Sequence, residues 1–99
     1  MNSIKLPKTI KIGGFDHSII MDGEDCDNSG AWGLYSFRRK TITLDSGLTP
    51  QHLSCEFIHE LLHGVDQVYN GASLSEDTVK AMANGLHQVF EQLGVRFVL

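Results

Sequence analysis

His59-Glu60-Leu61-Leu62-His63 sets two imidazoles four positions apart with a carboxylate beside the first. On a helix, residues four apart stand one turn above each other on the same face, so both rings can grip one metal ion. At about 100° per residue Glu60 stands beside that pair instead of joining it. From there it can take a proton from water activated by the metal, which is the arrangement that hydrolyses peptide bonds. The competing reading is two surface histidines and a solvated glutamate.

A helical wheel favours the first reading. With Leu53 at zero and about 100° per residue, Leu53, Phe57, Val68, Leu61, Val65, Ile58, Tyr69 and Leu62 fill one half of the circle. Cys55, Asp66, His59 and His63 fall together outside it, between about 200° and 280°. One face is therefore predicted to enter the core, while a separate stripe carries side chains able to bind a metal.

Elements on either side must hold that helix in place. Thr49 as cap and Pro50 at the first helical position predict a start there, and Asn70-Gly71 predicts a stop, giving a helix over about 50–69. Ser75 or Ser73 caps a second helix over about 75–93, with Val79, Met82, Ala83, Leu86, Val89, Phe90 and Leu93 as its apolar stripe. Upstream, Thr9–Ile12 reads as a strand, Gly13-Gly14 as a bend, and Phe15 to Met21 as a second strand. Ala31–Phe37 and Lys40–Leu44 read as a hairpin whose Arg38-Arg39-Lys40 turn is solvated. Asp22 to Gly30 is an acidic turn that lacks the ordered spacing of a calcium loop. Val95–Leu99 is a short apolar tail able to pack or add a strand. The fold class is α+β: a small antiparallel sheet of about three strands, within about 9–45, packed against a two-helix hairpin in a single domain, 1–99.

Composition narrows the function. Ninety-nine residues suffice for one modest core, and 41% hydrophobic with 20% charged residues is ordinary for a globular chain. A net charge of −4 argues against nucleic-acid binding by phosphate neutralisation. No apolar run approaches the ~20 residues of a membrane span, and the start carries no signal-peptide stretch. Two cysteines, Cys26 and Cys55, make no disulfide framework, so a cytoplasmic protein with free thiols and no membrane partner is expected. His17, His52 and His87 have no paired spacing and read as ordinary surface or core residues; Trp32 and Tyr35 read as sheet-core aromatics before cleft-lining ones.

A catalytic zinc site takes three protein ligands and keeps a fourth position open. Residue types alone leave Asp66, Glu76 and Asp77 as candidates after His63, and His52, Cys55 and Glu56 before it. Strictly antiparallel helices would leave Glu76 near the level of Tyr69, ~9 Å along the axis from His63, and Ser73 and Glu76 also have capping-box spacing. Asp66 could instead steady a histidine from behind.

His59 to Asp66, Leu74-Ser75-Glu76-Asp77-Thr78-Val79 and Ala83-Asn84-Gly85-Leu86 resemble small phage and prophage proteins that look like minimal relatives of the ImmA/IrrE-type, gluzincin-like zinc metallopeptidases. Gly33-Leu34-Tyr35 and Thr41 to Asp45 fit the strand pair preceding the motif in such proteins. The resemblance spans about residues 30–93, and HExxH is its specific part. It implies a minimal zincin-like fold with zinc on His59, His63 and Glu76 and with Glu60 as general base. Some larger relatives carry an attached DNA-binding domain, and regulation by such a domain is not expected here.

The leading expectation is a zinc-dependent peptidase acting on a protein or peptide laid along a sheet edge. The alternative is a phage-encoded binding module on the same scaffold, catalytically inactive; a fourth protein ligand such as Cys55 or Asp66 would favour it. A helix-turn-helix DNA binder fits poorly with helices this long and a chain this acidic. A His-His-carboxylate site also accepts manganese, iron or cobalt, so zinc follows from the resemblance.

Overall fold

Thr49 accepts a hydrogen bond from the His52 amide at 3.3 Å, and Pro50 starts helix α1 (Pro50–Tyr69), the longest element and the one on which the molecule is assembled. The computed structural model describes residues 2–22, Cys26 and 30–99. Before α1 come β1 (Asn2–Lys5), β2 (Thr9–Ile12), β3 (Phe15–Met21), β4 (Gly33–Ser36) and β5 (Thr41–Leu44); after it come α2 (Glu76–Gln92) and β6 (Val95–Val98). The predicted strands at Thr9–Ile12 and Phe15–Met21 and the predicted hairpin are present. Most of the predicted acidic turn, 23–25 and 27–29, lies outside the described residues. No helix among the described residues is long and apolar enough to cross a membrane.

The α+β class stands, but the expected three-stranded antiparallel sheet is corrected. Four strands form a mixed sheet in the order β2-β3-β5-β4, and β1 pairs with β6 in a separate parallel pair. Within the larger sheet β2–β3 and β4–β5 are antiparallel, whereas β3 and β5 run parallel, Ile19 opposite Ile42. The hairpin docks on β3 through β5 and leaves β4 at the edge, a choice of partner that strands of four to seven residues do not encode in their own pattern. The C-terminal tail adds a strand, which was one of its two expected fates.

Ile42, Leu44, Leu53 and Phe57 make the buried centre, with Leu6, Ile10, Ile19, Met21, Tyr35, Leu48, Leu61 and Phe97 packed around it. β6 is tied to α1 twice. The Phe97 ring lies 5.1 Å from that of Phe57, and the Phe97 amide donates to the buried Ser54 hydroxyl at 3.0 Å. The wheel holds for the first turns of α1, where Leu53, Phe57 and Ile58 are buried, but Val65 and Tyr69 are exposed. On α2 only Val79 and Ala83 are buried, and Met82, Leu86, Val89 and Leu93 stay exposed. That helix packs on α1 and β6, and two neighbours cover only part of its apolar arc.

Candidate metal centre

The helical spacing brings His59 and His63 side by side, with ring centroids 5.0 Å apart and Nε2 atoms 3.2 Å apart. Glu76 closes the group from α2. Its Oε1 lies 2.7 Å from His59 Nε2 and its Oε2 2.7 Å from His63 Nε2.

The reach of Glu76, which antiparallel helices alone would deny, comes from the loop hung on Asp66. The Asp66 carbonyl accepts from the amides of Asn70 (2.9 Å) and Ala72 (3.0 Å). Its buried carboxylate accepts from Asn70 Nδ2 at 2.9 Å and from the Leu74 amide at 3.3 Å. Gly71 and Ala72, at φ +63° and +55°, turn the chain back toward α1. Ser75 then caps α2 by accepting from the Thr78 amide at 3.1 Å. Ser73 is occupied by Asn70 Nδ2 at 2.8 Å, so Ser75 and not Ser73 is the cap. Glu76, in the first helical position, has its carboxylate turned to the histidines instead of back to the backbone.

Asp66 is thus a loop anchor, and Asp77 is an exposed residue outside the cluster. Cys55, the other candidate for closing the site, donates its thiol to Asn84 Oδ1 at 3.3 Å. Burial and then the Glu56 charge push its pKa up, away from the thiolate a metal would take. Zinc with bonds of about 2.0–2.1 Å in a tetrahedron needs donors about 3.3 Å apart. The two imidazole nitrogens already meet that spacing, and Glu76 would retreat by roughly half an ångström to meet it too. The donor set of two neutral-capable nitrogens and one carboxylate fits a divalent ion.

Glu60 lies one position along and in a different medium. It is buried, 5% exposed, and its carboxyl is hydrogen-bonded to that of Glu56, one turn earlier on the same face. Burial first, then the Glu56 hydrogen bond and the charges of Glu56 and Glu76, push the Glu60 pKa up to about 9. Two carboxylates in contact share one proton. The same residues group with His59 as a second cluster of possible ligand atoms. Gly33 makes room for them. A Cβ there would meet Glu56 Cγ and Oε1 at 2.9 Å and Glu60 Cγ at 3.0 Å, so β4 comes this close to α1 only without a side chain.

These groups line one open cleft of about 660 Å³. β4 forms one wall, α1 the floor, and Glu76, Lys80 and Asn84 of α2 the far rim. Tyr35 lines it as well as packing on the core, so both roles open to it in the sequence are filled. Its hydroxyl bonds His17 Nε2 at 2.8 Å, and His17 Nδ1–H donates to the Phe15 carbonyl at 2.9 Å. In the neutral ring Nε2 then accepts from Tyr35, so a wholly buried histidine fixes the tyrosine. Burial also pushes the Tyr35 pKa up. The tie between His17 and Tyr35 spans eighteen positions of chain and crosses one strand, far from any local signal. Glu56 was named only as a candidate ligand; its place one turn before Glu60 is the signal for their contact. Comparison of the chain with models of protein families, with characterised proteins and with solved structures gives no match.

Proposed function

We propose that the protein is a zinc-dependent metallopeptidase, the activity that its resemblance to the ImmA/IrrE type implies. The observation that carries this reading is the convergence of His59 Nε2 and His63 Nε2, 3.2 Å apart, on Glu76, which sets one oxygen 2.7 Å from each, beside a buried Glu60. Zinc held by these three residues would supply Lewis acidity, acidifying water and polarising a peptide carbonyl. Glu60 then serves as the general base that accepts the proton and delivers it to the leaving amine.

The substrate pairs with the edge of β4. The Asp45 amide donates to the Trp32 carbonyl at 2.9 Å, and this sets the phase of the ladder. Leu34 and Ser36 turn their backbone groups to β5, and Gly33 and Tyr35 turn theirs outward, at the edge beside the cleft. An extended peptide can add there as a further strand.

One observation favours the second reading, a binding module without catalysis. Without metal, burial and Glu56 push the Glu60 pKa up to about 9, and a protonated carboxyl cannot serve as the base. The positive charge of a bound ion opposes that protonation, so metal content decides between the two. Elemental analysis of untagged protein is expected to find about one zinc per chain in the parent and in Asp77→Ala, and none in Glu76→Ala. A parent that stays metal-free after incubation with zinc would overturn the peptidase reading.

A further inference from the structure

The chain has a single tryptophan, and it is not in the core. Trp32 is 59% exposed, immediately before the edge strand, and lines the cleft. Its indole stands edge-on to the His52 ring, centroids 4.5 Å apart at 78°. This end of the cleft presents Ala31, Trp32, His52 and the Cys55 thiol, and the one acid beside them, Glu56, is buried under Gly33. The other end carries Glu76 and Lys80. An exposed tryptophan beside free backbone donors and acceptors is the kind of surface that takes a large apolar side chain while the strand edge holds the main chain.

We propose that Trp32 and His52 form a subsite for an aromatic side chain of an extended peptide bound along β4. The inference rests on the peptidase reading and adds to it the class of substrate. β4 and α1 run in the same direction, since Trp32 meets His52, Gly33 meets Glu56 and Glu60, and a Cβ on Gly64 would meet Tyr35. His52 precedes His59 by seven positions, about 10 Å along the helix. An extended chain covers that in about three residues. The aromatic residue therefore sits about three positions from the bond held at the metal centre, toward the N-terminal end of α1.

Trp32 itself is the reporter. Acetylated, amidated alanine hexapeptides with one phenylalanine, scanned through the positions, are titrated into zinc-supplemented Glu60→Gln protein, and tryptophan emission is followed. The matched set with serine is the reference. One phenylalanine position is expected to change the emission saturably and to bind roughly tenfold tighter, or more, than its serine counterpart. By calorimetry, Trp32→Ala is expected to bind both sets alike and Trp32→Phe to keep the preference. Equal affinity for the two sets in the Glu60→Gln protein, a preference that survives Trp32→Ala, or no binding of any peptide overturns the subsite. Cleavage by the parent without preference for phenylalanine overturns the subsite and leaves the peptidase. A Trp32-dependent preference in binding without cleavage by the parent supports the subsite and overturns the peptidase.

Discussion

Glu76 and Glu60 flank the same histidine and have nothing else in common. Glu76 is 62% exposed at the first turn of α2, where the helix dipole favours an anion, and it spans two imidazoles. Glu60 is sealed between α1 and the bare backbone of Gly33, against a second carboxylate. The exposed acid is placed to meet an ion between two histidines, and the buried one is pushed toward keeping its proton. Medium, and not residue type, sorts the proposed metal ligand from the proposed proton carrier, as in other sites where two carboxylates divide acid and base work.

The sharpest way to break that division is Glu60→Gln, which keeps shape and removes the proton-accepting oxygen. Peptide hydrolysis is expected to fall about a thousandfold with zinc content unchanged. Equal turnover would remove Glu60 from the chemistry. Glu76→Ala acts on the other member, and its zinc affinity is expected to drop by at least about a hundredfold in a competition titration. Asp66→Ala should resemble a weaker version of that loss, about tenfold, because it frees the loop that aims Glu76 without touching the ion. It should also lower unfolding stability by about 2 kcal/mol, since the Asn70 side chain and the Leu74 amide lose their acceptor. Stability lost with zinc affinity intact would show that Glu76 is aimed by α2 alone.

How far this site can be read from sequence depends on how local its causes are. Both ends of α1 were legible, because Thr49, Pro50, Asn70 and Gly71 act within one turn of themselves. The pairing of His59 with His63 was legible for the same reason. Glu76 was reached through family resemblance; helix geometry alone argued against it, because the reversal hung on Asp66 depends on a side chain binding eight residues ahead. The sheet was misread because short strands state no partner, so nothing in β3 or β5 announces that they pair parallel. The α2 stripe shows the same limit. Its period was correct, but the share of an apolar arc that gets covered is set by how many neighbours arrive. Glu56 was in view as an acid one turn from Glu60. That the two touch follows from packing under Gly33.

The smallest expected effect tests the buried half of the comparison in chelator-treated protein. Glu60 holds its proton in the folded state to about pH 9, whereas the unfolded chain releases it near the ordinary value of 4.5. Between those limits the folded state binds the extra proton, so unfolding free energy declines as pH rises through the window. The parent should therefore lose Tm between pH 5 and pH 8, and Glu60→Gln, lacking the group, should lose less. Glu56→Gln removes a hydrogen-bond partner and a charge but leaves burial, the largest cause, in place. Its decline should fall between those of the other two. Three parallel melting profiles would mean that Glu60 is ionised in the folded metal-free protein, and the contrast with Glu76 would then lie in position alone.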